Sequence, residues 1–280
     1  MEIKKVALVL ADISGYTRFM KAHTTSLLHA EVIITDLLEA VLDHTEHPLT
    51  LSKLEGDAAF LYLSLEVDSD AHAIAQDVLR QVVAFMDAFK TRERELIACN
   101  GCACEACQGI DQLKLKAFLH VGQAVITKIR QFEELAGEEV IVIHRLMKNS
   151  IPAKEYIVMT EAFYELSGGL AEQTPEARTE EYEGLGSVAI RVYYPLGVEP
   201  PWPPRPSMFS PRSAEYKALH DRFDAHMVRR ILGREPPPNF THLPNIRFTP
   251  FDGLKGMGEN LAWAVTNLPK LWRKHRRHQP

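Results

Sequence analysis

Cysteine is absent from this chain of 280 residues except within the segment "CNGCACEAC" at 99–107, which holds all 4. No disulfide framework therefore runs through the fold, and an apolar core must supply the stability; at 46% hydrophobic residues the composition allows one. A long apolar run is lacking too: none approaches the roughly 18 residues that a bilayer-spanning helix needs. There is no basic excess. A net charge of −5 argues against coating nucleic acid through a uniformly basic face, and no sequence-specific nucleic-acid partner is expected. The start, "MEIKKVALVLADI", joins basic residues to an apolar run, but it carries Asp12 and lacks a small-residue cleavage site. It reads as a first strand instead of a signal peptide, and a cytoplasmic location, where thiols stay reduced, is expected. No internal repeat is found.

What is present has a clear order. Residues 3–13 form a continuous apolar run, the pattern of a strand covered on both faces or central in a sheet. After Ser14-Gly15 a helical region runs to about His44, with Ile34, Leu37, Leu38 and Val41 at helical spacing. "LTLSKLEGDAAFLYLSL" predicts two strands around a Glu55-Gly56-Asp57 turn. Ile74, Val78, Val82, Phe85 and Phe89 predict a helix over 71–89, and Leu113, Leu115, Ala117 and Leu119 alternate as a strand. A helix at 138–148 and the strands "YIVMT" and "VAIRVYY" follow. Strand, helix, strand, strand, helix, strand is the split βαβ, ferredoxin-like plan of the α+β class, an antiparallel sheet with helices on one face. Its central strands lie side by side, so the end of the first strand meets the first hairpin turn. Asp12 and Asp57 are then neighbours.

Two carboxylates at adjoining strand ends raise each other's pKa unless a cation neutralises them. Magnesium or manganese suits such hard oxygen ligands and takes phosphate oxygens as its remaining ones. Gly15 permits a tight turn into the next helix, where the N–H groups of Ser14, Gly15, Tyr16 and Thr17 meet a polyphosphate. The plain alternative is that Asp12 caps a helix and Asp57 occupies an ordinary turn.

These residues resemble a known family. "LADISGYTRF" is similar to the first metal-binding segment of the class III nucleotidyl cyclases, and "KLEGDAAF" to the second. "HVGQAVI" and "GEEVIVIHRLMKNS" are similar to the strand pair and helix that follow, over roughly residues 3–195. The resemblance implies that Asp12, Asp57 and the Ile13 carbonyl bind two magnesium or manganese ions. It assigns Ser14–Thr17 to phosphate, Lys53 and the neighbourhood of Glu134 to the purine, and Arg145 to the transition state. It further implies a homodimer, with Arg145 of one chain facing the aspartates of the other, and conversion of a purine nucleoside triphosphate to a 3',5'-cyclic nucleotide and pyrophosphate. At one position the chain departs from the pattern: Ile141 stands where active members usually carry an asparagine that orients the ribose. A second reading is therefore a catalytically degenerate module that binds nucleotide or metal and signals through its dimer or tail.

The cyclase homology domain is thus expected at 1–195, with a cysteine-rich loop at 98–108. Cys99, Cys102, Cys104 and Cys107 are spaced C-x-x-C-x-C-x-x-C, which suits tetrahedral zinc; an iron-sulfur cluster or another redox role, and unliganded thiols or disulfides, remain open. Residues 195–211 hold seven prolines, so a linker or strap is expected at 196–212, with a helical extension at 213–280. Within the extension Leu254, Met257, Leu261, Val265, Leu268 and Trp272 form a stripe followed by Lys270, Arg273, Lys274, Arg276 and Arg277. That suits an anionic membrane surface or a nucleic-acid contact without sequence specificity, or simple docking on the chain's own domain or its dimer partner. His120 and His144 read as packed residues without a catalytic role.

Overall fold

The computed structural model describes residues 2–22, 27–66, 69–99, 105–130, 132–196 and 200–205. The chain divides into two compact units, one of residues 1–15, 37–91 and 114–200, the other of 16–36, 92–113 and 201–280.

In the first unit an 8-stranded sheet has the order β2-β3-β1-β4-β6-β8-β7, with β5 paired to β4. Its strands are β1 (Glu2–Ser14), β2 (Thr50–Glu55), β3 (Ala58–Leu65), β4 (Lys114–Ile129), β5 (Phe132–Ala136), β6 (Tyr156–Thr160), β7 (Glu176–Tyr182) and β8 (Gly186–Tyr193). β1 pairs antiparallel with both β3 and β4, which gives the antiparallel core β2-β3-β1-β4 of the ferredoxin-like plan. β6 then joins β4 in parallel, so the complete sheet is mixed. A parallel neighbour cannot follow through a hairpin; it needs a crossover, and α5 (Glu138–Leu146) lies in the connection.

The apolar run of β1 is buried on both faces, as its pattern predicts: Val6 through Ala11 are inaccessible to solvent. On one face Leu8 and Leu10 pack with Phe60, Phe118 and Val158, and with Ile143 and Leu146 from α5. Cross-strand register sets the rows of this face. Lys53, Phe60, Leu10, Phe118, Val158 and Val192 are successive partners in one row; Glu55, Ala58, Asp12, Lys116 and Tyr156 are partners in the next. An apolar row therefore lies beside a polar one, close to the end of β1.

The helix expected at 71–89 runs further, as α3 (Ala71–Cys99). Leu96 and Ile97 are buried in its last turns, and Arg92 pairs with Glu95 one turn on at 2.8 Å, so the periodic pattern continues past Phe89. The helical region before His44 contains two helices, α1 (Tyr16–Ala22) and α2 (Leu27–Leu42). α6 (Glu161–Ser167) is a short addition that the sequence did not advertise. Thr160 caps it: its Oγ1 accepts from the Phe163 N–H at 3.4 Å and is bonded to His120 Nδ1 at 2.8 Å. Thr160→Ala is expected to cost about 1–2 kcal/mol of stability, read from the midpoint of urea unfolding with an unchanged slope.

In the second unit Arg92 makes a bidentate pair with the buried Asp36, both distances 2.8 Å. Part of the proline-rich segment is laid down here as a strap. Arg94 donates to the Pro201 carbonyl and faces the Trp202 ring, while Arg205 donates to the carbonyls of Cys107 and Gln108, both on α4 (Glu105–Gln108). No described helix is long and apolar enough to cross a membrane. The extension at 213–280, with its basic stripe, lies outside the described residues.

Candidate functional site

Asp12 is the last acidic residue of β1, opposite Ala58 on β3 and Lys116 on β4. Asp57 occupies the two-residue turn between β2 and β3, and its carbonyl accepts from the Ile13 N–H at 3.1 Å. That bond ties the turn to the end of β1 and brings the two carboxyl groups into one electrostatic field. Burial raises Asp12 above its ordinary range, against the pull of Lys116. Burial first, and then the charge of Asp12, push Asp57 up to about 7. Lys116 is a member of this site that sequence reading missed. Its ammonium, 5.5 Å above the Tyr156 ring, is the nearby cation that both aspartates sense. The signal was the strand alternation itself, which puts Lys116 and Asp12 on one face once their register is known.

Ile13 and Ser14 are buried beside Asp12. Gly15 then turns the chain at φ 92, a conformation that favours glycine, directly into α1, which Tyr16 and Thr17 open. Lys53 and Glu134 come together across two strands: Nζ lies 3.5 Å from Glu134 Oε2 and 3.2 Å from Glu55 Oε1. Glu134 sits on β5, opposite Thr127, in a stretch expected from sequence to be a loosely aligned loop. Arg145 is exposed on α5, one turn from Ile141, which is 51% exposed. Ile141 lines an open groove of about 720 Å³ with Gly137, Gly184 and Leu185.

The two histidines are packed, and both are also bonded to carboxylates. His120 is buried and its Nε2 lies 2.6 Å from Glu139 Oε2; burial holds the ring below its usual range, opposed by Glu139. His144 Nε2 meets Glu55 Oε2 at 2.9 Å. Cys99 ends α3 and Cys107 is buried on α4, whereas Cys102, Cys104 and the side chain of Cys99 lie outside the described residues. Among the described residues no group of three or more His, Cys, Asp or Glu side chains is placed to hold an ion. The two neighbouring carboxylates are oxygen donors of the kind that suits a hard cation.

The raised Asp57 has a consequence for stability. The folded chain binds this proton more tightly than the unfolded chain does. In the absence of divalent cations stability therefore falls as pH rises from about 4 to about 7. Discounted for partial solvent screening, the penalty is about 1–2 kcal/mol, or about 3–6 °C in Tm. Asp57→Asn should lie above the parent at pH 8 and converge on it near pH 4.5, as measured by thermal unfolding in buffer free of divalent cations.

A family model described as "Protein of unknown function (DUF2652)" matches residues 34–156. The "Uncharacterized protein Rv2561/Rv2562" of Mycobacterium tuberculosis is 30% identical over 202 residues, which cover 71% of this chain and 89% of that protein. The chain belongs to the family of this mycobacterial protein. Among solved structures, the adenylyl cyclase CyaB from P. aeruginosa is similar with a TM-score of 0.51 at 16% identity, over 70% of this chain and 96% of that one. The guanylyl cyclase Cya2 is similar with a TM-score of 0.51 at 13% identity, over 68% and 92%. This member of the mycobacterial protein's family thus has the fold of the class III nucleotidyl cyclases.

Proposed function

We propose that the domain binds a purine nucleoside triphosphate with divalent cations and converts it to a 3',5'-cyclic nucleotide and pyrophosphate. The observation that carries this reading is the acidic pair: Asp57 is pushed up to about 7 partly by the charge of Asp12, the electrostatic condition that a bound cation relieves. Asp12, Asp57 and the Ile13 carbonyl would hold magnesium or manganese. When bound, such ions neutralise the triphosphate and make the ribose 3'-hydroxyl easier to deprotonate. Lys53 donates to an acceptor on the purine edge and Glu134 accepts from a neighbouring donor. Arg145, supplied by the second copy of a homodimer, meets the charge that develops as the 3'-oxygen bonds to the α-phosphorus and pyrophosphate leaves.

Ile141 favours a second reading, in which the module binds nucleotide and signals without turnover. An isoleucine offers the ribose neither donor nor acceptor. Calorimetry with manganese and ATP or GTP, followed by chromatography for cyclic product, tests both. Manganese-dependent binding with product supports the enzyme, binding without product the signalling module, and absence of binding removes both.

The four cysteines are assigned to zinc or an iron-sulfur cluster on their spacing, with the burial of Cys107 in support. Metal analysis of the purified protein should find zinc or iron bound, and Cys107→Ser should lose most of it.

A further inference from the structure

Four polar side chains in contact run from β5 across β2 to α5: Glu134, Lys53, Glu55 and His144. Lys53 Nζ stands between Glu134 Oε2 at 3.5 Å and Glu55 Oε1 at 3.2 Å, and the other Glu55 oxygen meets His144 Nε2 at 2.9 Å. His144 Nδ1 faces the Val140 carbonyl at 2.7 Å. The ring is thus held at both nitrogens, by a backbone carbonyl on one side and a carboxylate on the other. The ring also rests on Phe60, with centroids 5.0 Å apart.

Local structure aims this chain. Leu51 pairs with Leu61 but Lys53 with Phe60, so Ser52 is an extra residue, and a bulge of this kind re-aims the side chain that follows it. Lys53 and Glu55, two apart, then share the face that α5 covers. On α5, His144 directly precedes the exposed Arg145, so fixing His144 fixes the roll of the helix that presents Arg145. The start of α5 is held in the same manner, by Glu139 on His120, and a side chain at Gly122 would collide with Glu139.

Half-exposed ion pairs contribute little to stability. Their effect is larger on a flexible lysine that a ligand needs in one place, because a side chain held beforehand does not lose that freedom on binding. We propose that Glu55 and His144 are positioning residues for base recognition: Glu55 holds the Lys53 ammonium where the purine edge arrives and links it to α5. This rests on the nucleotide reading above. Without Glu55, Lys53 keeps Glu134 as its carboxylate partner among the described residues, and closing on it occupies the acceptor that the base requires.

The test measures manganese-dependent binding of ATP, GTP and inorganic tripolyphosphate, a probe without a base, to the full chain. The parent should prefer a nucleotide to tripolyphosphate. Glu55→Ala and His144→Ala should each weaken nucleotide about tenfold and leave tripolyphosphate and Tm nearly unchanged. Glu55→Gln, which keeps an acceptor for Lys53, should recover part of the loss. An equal decline for nucleotide and tripolyphosphate with a lowered Tm, or an unchanged nucleotide affinity, overturns the positioning role. A parent that binds tripolyphosphate with no preference for nucleotide overturns base recognition by Lys53. A parent that binds neither is a distinct failure, that of the nucleotide reading itself, and removes this inference with it.

Discussion

Asp57→Ala is expected to lose manganese-dependent nucleotide binding, or cyclic product where the parent makes it, by about a hundredfold or more. Asp57 stands in a turn fastened to β1 by the bond from the Ile13 N–H to its own backbone carbonyl, and that bond survives the substitution. The loss would therefore not come from misfolding. With the Asp57 carboxylate gone, its burial cost and its repulsion with Asp12 go with it, so the variant should melt at or above the parent temperature at pH 8 in the absence of cations. Equilibrium dialysis with manganese, product chromatography and thermal unfolding on one preparation check all three. A variant that binds manganese nucleotide as the parent does would remove the acidic pair from the site.

Ile141→Asn is expected to act in the opposite direction. The side chain is 51% exposed on α5, so little packing is lost, and the helix-propensity cost is about 0.5 kcal/mol or less. A newly oriented polar contact to the ribose affects rate far more: contacts of this class alter turnover by about two to three orders of magnitude. Turnover should rise at least tenfold over the parent, with Tm unchanged within about 2 °C. If Ile141→Asn shows tighter binding yet no product, the defect in turnover lies elsewhere, and the signalling reading gains.

Much of the fold was legible because β1, the β2-β3 hairpin and α5 each carry one strong pattern: an uninterrupted apolar run, a Gly-Asp turn between alternating residues, and a helical stripe. β7 was not, since "EARTEEY" is mostly polar and becomes a strand only by pairing with β8 across a tight turn. β5 was hidden for a similar reason, because its pairing with β4 is a tertiary fact. In the site, Asp12 and Asp57 could be read from topology, since neighbouring strands bring fixed ends together. Lys116 and Glu55 could not. Lys116 looks like an ordinary surface charge until the cross-strand register sets it beside Asp12, and Glu55 does so until the bulge at Ser52 and the approach of α5 give it Lys53 and His144 as partners.

Asp12 sits in a strand paired on both edges, whereas Asp57 and Lys53 belong to a hairpin whose outer strand, β2, ends the sheet order. The two halves of the acidic pair therefore differ in anchorage: strands flank Asp12 on both sides, whereas Asp57 depends on one bond to the Ile13 N–H and on its flanking strands. On the nucleotide reading, accommodation of ligands of different size is expected first in β2, which has a neighbour on one side alone in the sheet order.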